Sequence, residues 1–571
     1  MDVYNWETGF FAQDDWKVNS RLTVNAGLRY EIITPFIEAN DLMLNFDPAY
    51  TDASGKRGRF VVPSEHTLQF VDPRFVAYGY TTADKLGVGR ALVKTDKNNI
   101  APRFGAAWRI TDKFVLRGGY GVFYPTSAAQ GIRDPLATNS FQVRLTKRDN
   151  AAAPLQPWPG PTHGVSPNAG GVTTALSQVI SANWVPFNLQ SPRIEQWNIT
   201  VEHELGWRSA LRVSYLGTNM HGLISGSDAN MIPPSDKPFG TSTGDGVTAC
   251  NPDAGDCNLS AADRARLPFS ALSDYMIAFG NLGRGRSNAF QTELNRRFSG
   301  GFMFNAAYTL LSQKTSAPDV GASSLGGTSY NQFNPEVDYS TDAFISRHRV
   351  VTYGVWQVPF GRGRTHGRKL NAGIEALAGG WEATWQGFFK SGTGFTPYWG
   401  CDNCGPFYPG NIFSGSVDAT GGFNGTSFRP VVTGQPLKVL GDRIWDRAAF
   451  AAPPLGADLF DNPNVAKRNL LWGPGTWGAN LGLHKIFRIG EHIRADLGAD
   501  FNNLFNHPLK SPDNVGISSL GSFSLGVDPK TLKTFVNTIS PNPDFGRLLS
   551  SYTQENVDSR RTTRLKLRIT F

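Results

Sequence analysis

Polar and apolar residues alternate with period two over many short stretches of this chain. The last eight residues set Leu565, Leu567, Ile569 and Phe571 on one face, and Arg564, Lys566, Arg568 and Thr570 on the other. Residues 22–30 oppose Leu22, Val24, Ala26, Leu28 and Tyr30 to Thr23, Asn25, Gly27 and Arg29. Residues 196–205, 290–298 and 493–502 repeat the scheme, with an apolar, often aromatic face and a charged or amide-bearing one. Such alternation predicts amphipathic β-strands. Two environments produce it: a soluble antiparallel sheet with one wet face, or a membrane barrel with lipid outside and water inside.

The spacing separates them. Strands come in couples joined by very short turns at Lys17–Arg21, Thr111–Lys113, Gly206–Trp207, Ser299–Gly300 and Gly490–Glu491, with a longer, arginine-rich sixth connection at Gly361–Gly380. Between couples lie long Gly-, Ser-, Asn-, Asp- and Pro-rich stretches at 34–99, 125–192, 219–285, 313–344, 393–475 and 506–560. A soluble sandwich spaces its strands more evenly, and loops above about 15 residues are uncommon in compact domains. Alternating short and long connections predict tight periplasmic turns on one rim and large surface loops on the other. Strands of roughly 10–13 residues suit a tilted crossing, and Trp6, Trp16, Trp108, Trp381 and Trp477 near strand ends suit interfacial girdles.

Composition agrees. At about 150 residues per domain, 571 residues would suggest some four soluble domains. However, only 18% of residues are charged, and 62 Gly, 36 Pro and 68 aromatic residues point to an all-β protein with many strands. No apolar run is long enough for a transmembrane helix, and the N-terminal residues lack the pattern of a signal peptide.

Several stretches resemble the β-barrel region of the Oar-like TonB-dependent receptors of the Gram-negative outer membrane. They are 9-GFFAQDDWKVNSRLTVNAGLRYE-31, 101-APRFGAAW-108, 116-LRGGYGVFY-124, 192-PRIEQWNITVEHEL-205, 213-VSYLGTNMHGL-223, 347-RHRVVTYGVWQVPFGRGR-364, 379-GGWEATWQGFFKSGTGFTP-397, 472-WGPGTWGANLGLHKIF-487 and 497-LGADFNNLFNHP-508, with the terminal strand ending in Phe571. The resemblance implies a 22-stranded barrel, a plug, a TonB box and an N-terminal sandwich. None of the last three, nor a signal peptide, is seen here, so coupling to the TonB system is expected only through an N-terminal part missing from this chain. Six couples plus one terminal strand make 13 strands, with the first and last both running from surface to periplasm. Counted back from a 22nd strand, the first matches the tenth, and nine are wanting. An antiparallel barrel with an even strand count cannot close this way, so the expectation is a partial barrel, seen as an open sheet or a strained seam. The segment near Phe141–Lys147 is expected to extend a surface loop rather than add a strand.

Candidate chemistry is sparse. Cys401-Asp402-Asn403-Cys404 has the spacing of a zinc half-site or a redox motif, but its second ligand pair or βαβ setting is wanting. Local disulfides, Cys250–Cys257 and Cys401–Cys404, are the preferred reading. The nine histidines include His203, His348 and His484 on strands and His66, His163 and His221 in loops, without metal-ligand spacing. No catalytic or phosphate-binding motif occurs, so neither an enzyme nor a cofactor is expected. The acidic stretch 244–257 lacks calcium-loop order. The net charge of +8 is spread one or two residues per strand, which argues against nucleic acid. Arg117, Arg212, Arg297, Arg494 and Arg568 are expected to face the lumen, while loop arginines suit lipopolysaccharide phosphates. The expected function is solute transport across the outer membrane after capture by surface loops. Aromatics at 395-FTPYW-399 and 407-FY-408 suit stacking on a glycan. The alternative is a surface-binding adhesin or secretion-associated barrel.

Overall fold

The computed structural model describes residues 2–69, 73–125, 136, 182–230, 265–272, 276–316, 335–342, 345–362, 364–401, 427–438, 443–453, 462–489, 493–508, 518–528, 530–531, 534–547, 553–554, 557–558 and 560–571. Thirteen strands follow one another in chain order across a single antiparallel sheet. They are β1 (Glu7–Lys17), β2 (Leu22–Ile33), β3 (Asp96–Thr111), β4 (Phe114–Phe123), β5 (Arg193–Leu205), β6 (Ser209–Asp228) and β7 (Ile277–Ser299). The series continues with β8 (Phe302–Thr315), β9 (His348–Gln357), β10 (Trp381–Lys390), β11 (Thr476–Ile489), β12 (Ile493–Asn502) and β13 (Thr562–Thr570). A two-residue strand, Ser340–Thr341, pairs with the end of β8. No ladder joins β1 to β13 among the described residues, and both are exposed along their whole length. The sheet is open, and its two edges run in the same direction.

Local chemistry sets the hairpins. Between β1 and β2 the Asn19 side-chain oxygen accepts from the backbone N–H of Arg21 at 2.8 Å and of Leu22 at 2.9 Å, a side-chain mimic of a backbone turn. Gly300 and Gly301 supply the positive φ (60° and 79°) that turns β7 into β8. Every pairing in the β5–β6 hairpin is in register, from Leu205 opposite Ser209 to Arg193 opposite His221. The residues around the β11–β12 turn, 490–492, lie outside those described.

β6 and β7 are longer than the sequence suggests, at 20 and 23 residues. A tilted strand crosses a bilayer in about 9–11 residues, so these two continue well above the membrane as a paired ribbon. His221, expected in a loop, therefore lies on β6 opposite Arg193. A bulge with Gly222 at φ 62° follows it directly. The alternation weakens at that bulge, which hid the extension.

Side-chain burial is inverted relative to a soluble protein. On the apolar face Leu28, Phe104, Ile199 and Leu497 each keep about half their surface accessible, because lipid, not protein, covers that side. The buried clusters lie instead in the long connections. A small sheet of Asn45–Thr51, Arg57–Val62 and Tyr80–Thr82 separates two of them. Val61, Met43, Leu92, Val185 and Phe279 pack on one side, and Phe46, Phe60, Val62, Phe75 and Phe269 on the other. This first cap draws on three successive surface connections. A second is built around Trp399, Phe428, Trp445, Phe450, Phe523 and Phe545 from the last two.

Candidate functional site

Strand register assigns one face to the polar side chains. From β4 to β8 they form a continuous chain of contacts: Arg117 Nη2 lies 3.5 Å from Glu202 Oε2, and Arg212 Nε 3.0 Å from Glu202 Oε1. Arg212 Nη1 then sits 3.3 Å from Glu293 Oε2, whose other oxygen accepts from Asn305 Nδ2 at 2.6 Å. Cations and carboxylates thus alternate across four strands, with the buried amide of Asn305 extending the chain to a fifth; the two arginines are half-exposed to the space this face lines and the two glutamates less so. At the other end of the sheet His484 on β11 bridges Asp496 and Asp500 on β12, with both ring nitrogens 3.1 Å from carboxylate oxygens. Lys566 on β13 pairs with Asp500. Near β1 a shallow hollow of about 220 Å³ is lined by Phe11, Gln13, Arg29 and Arg103 among others.

The predicted lumen residues can be placed individually. Arg117 and Arg212 belong to the charge chain. Arg568 lies opposite Asp496, and Arg494 opposite Thr570, in the register of the same face. Arg297 is exposed beside the irregular end of β7, where its backbone N–H donates to Arg208 O at 3.2 Å. Cys250, Cys257 and Cys404 fall outside the described residues, as do His163, the stretches 141–147 and 244–257, and Phe407–Tyr408. Cys401 ends a short strand, Tyr398–Cys401.

Above the sheet, buried amides knit the first cap together. Asn45, with no exposed surface, donates to Leu92 O at 3.0 Å and Val185 O at 2.9 Å, and accepts from Val185 N at 3.0 Å. Asn281 spans Gln190 and Gly222 in the same manner. Asn45 thus ties two connections together and satisfies groups that burial would otherwise penalise, while the partly buried Asn281 on β7 fastens Gln190 and the β6 bulge to the strand. Tyr78, in the cluster with Phe46 and Phe60, donates to Arg57 O at 2.5 Å; burial, then the nearby Asp52 carboxylate, pushes its phenol up to about 12. Ser54 and backbone N–H groups at Ser54 and Lys56 hold Asp52 below the usual carboxylate range.

The second cap is anchored by ions. Arg429 and Asp338 pair at 2.8 Å with neither side chain exposed. Arg468, also buried, donates to Thr315 O at 2.7 Å at the end of β8, and Asn469 Nδ2 donates to Thr341 O at 2.7 Å. Trp399, proposed from sequence as a ligand-stacking aromatic, is only 4% exposed. Its indole donates to Ala451 O at 3.1 Å, so it serves the core of this cap. Sequence reading missed both caps; the signal available was the density of aromatics and the 60-FVV-62 run inside nominal loops.

A one-layer antiparallel sheet with a lipid-compatible face, a charged face and elaborate connections on one rim defines a membrane β-barrel protein. The protein resides in the outer membrane. It belongs to the family described as the outer membrane beta barrel domain, whose model matches residues 1–553. No curated protein matches the chain by sequence. Among solved structures it is similar to the siderophore receptor PiuA from Acinetobacter baumannii (8% identity, TM-score 0.37, covering 99% of this chain and 43% of that one). It is also similar to the outer membrane transporter YddB from Escherichia coli (9%, 0.37, 99% and 54%) and to the FrpB iron transporter from Neisseria meningitidis (9%, 0.36, 99% and 45%). The chain spans about half the length of these structures or less.

Proposed function

We propose that this chain is barrel wall from an outer-membrane transporter of the Oar-like TonB-dependent kind, passing a solute along its charged face after capture above the rim. The observation that carries this reading is the alternating Arg117–Glu202–Arg212–Glu293 chain, which lines the sheet with fixed charges of both signs. Such a wall holds water and presents exchangeable partners to a polar solute, whereas a purely structural anchor needs no charged interior. The absence of catalytic motifs in the sequence supports a non-enzymatic role. The two packed caps favour a second reading, a surface-binding protein without import, because a preformed core presents a fixed face to a partner. Fluorescently labelled oligosaccharides given to cells producing the whole transporter to which this wall belongs separate the two. Accumulation inside the outer membrane that collapses when TonB is removed supports transport. Surface retention indifferent to TonB supports the binding protein and overturns transport.

A further inference from the structure

The connection from β9 to β10 is the one long excursion on the short-turn rim, and it ends in a helix, Ala372–Ala378. Asn371 caps this helix by accepting from Ile374 N at 2.9 Å. Two contacts fix where it lies. The Trp381 indole donates to Leu377 O at 2.8 Å, and Lys485 Nζ donates to Glu375 O at 3.1 Å. In register, Trp381 on β10 and Lys485 on β11 are direct partners, and both have the parity of the apolar face. Lys485 is 4% exposed and lies over the Trp381 and Phe487 rings at 5.8 and 5.2 Å. The helix is therefore pinned to the lipid side of the periplasmic rim, not to the charged side. There Leu377 is 78% exposed and Ile374 46%, beside the half-exposed Trp356 and Trp381.

The same connection carries Arg362, Arg364, Arg368 and Lys369 against a single acid, Glu375. Glu375 is engaged by the backbone, accepting from Arg362 N at 2.7 Å. The arginines reach only neutral acceptors: Leu370 O, Gln357 Oε1 and Arg364 O. None of the four basic groups pairs with a carboxylate among the described residues. Exposed apolar side chains on the lipid side, beside unneutralised cations at headgroup depth, form the combination that holds an interfacial helix on an anionic bilayer surface.

We infer that the 361–380 connection is a binding site for anionic phospholipid of the periplasmic leaflet, with Ile374 and Leu377 dipping into the acyl boundary and the four basic residues meeting the phosphates. The continuity of this patch with the apolar face selects a lipid rather than a soluble partner. The test uses the full chain in detergent, titrated with phosphatidylglycerol or phosphatidylcholine and read by native mass spectrometry. Replacing Arg362, Arg364, Arg368 and Lys369 by Gln is expected to weaken phosphatidylglycerol binding at least about tenfold. Phosphatidylcholine binding should not change. Replacing Lys85, Lys94, Lys438 and Lys530 by Gln, exposed cations of the caps, should leave both lipids unaffected. Ile374→Ser with Leu377→Ser should weaken both lipids. A variant with the three arginines changed to Lys keeps the charge and should keep the binding. The inference is overturned by any of three results: equal phosphatidylglycerol binding in the two Gln variants, loss of binding in the Lys variant, or competition by glycerol phosphate at the concentration of the lipid.

Discussion

The caps can be unfolded without opening the sheet if their stability is local, and Phe46 is the residue on which to test this. Its ring is wholly buried and meets Phe60 and Phe269 edge-on, with centroids at 5.4 and 5.3 Å. It also covers Gly58, where even a methyl group would overlap the ring. Phe46→Ala removes a ring that joins the 34–95 connection to Phe269 of the connection leading into β7 by an edge-on contact. A fully buried Phe→Ala change costs about 3–5 kcal/mol. Whole domains carry only about 5–15 kcal/mol, so a cap of this size would lose much of its margin. The expected result is fast proteolytic cleavage and hydrogen exchange within the cap segments 40–69, 73–95, 182–192 and 265–272. Exchange in β1, β2 and β9–β13 should stay as slow as in the parent. A matched change on the apolar face, Leu28→Ala, should leave the cap protected. The reasoning fails if Phe46→Ala loosens sheet and cap together, since the cap would then not be a separate cooperative unit. It fails equally if the cap stays protected, which would mean the ring contributes far less than its burial implies.

Other expectations follow from single features. Asp338→Ala removes the carboxylate paired with the buried Arg429 guanidinium and should destabilise the second cap by about 3–5 kcal/mol, whereas Asp338→Leu with Arg429→Met should recover most of that loss; thermal unfolding followed by hydrogen exchange in 427–453 reads both. Gly217→Val drives a side chain into the Trp197 ring, which occupies the space a Cβ would take. It should cost about 1–3 kcal/mol, seen as a lower urea midpoint with an unchanged slope. The Tyr78 phenol is raised on folding, so its contribution is fully present below pH 10 and is lost as pH rises towards about 12. Alkaline titration should open the first cap in that window, and Tyr78→Phe should flatten the dependence.

The membrane strands were legible because each carries its evidence locally. Period-two alternation in 22–30 or 564–571 states the two faces without reference to any other part of the chain, and short turns fix which strands are neighbours. Register then places Arg117 beside Glu202 and Arg212 beside Glu293, a pairing that needs two strands to be known at once. The caps were illegible for the opposite reason. Val61 meets Val185 and Phe279, residues more than a hundred positions apart and embedded in turn-forming composition, so no window of sequence holds the pattern. Trp399 shows the resulting error: an aromatic in a glycine-rich stretch reads as exposed, although it lies in a core assembled from elsewhere. The helix at Ala372–Ala378 was hidden by the basic residues before it, which read as a simple turn.

The first cap also constrains the order of events during assembly. Its clusters need side chains from three different connections, the first following β2 and the last leading into β7. The first two must have crossed the bilayer before Asn45 can meet Val185, and the third must follow before Phe46 can meet Phe269. Until then each delivers apolar side chains to the cell exterior with nothing to cover them. Completion of the cap is thus a late event that reports the correct threading of the first seven strands. A chain stalled part-way would show itself from outside, through cap segments open to protease, before any defect in the sheet became visible.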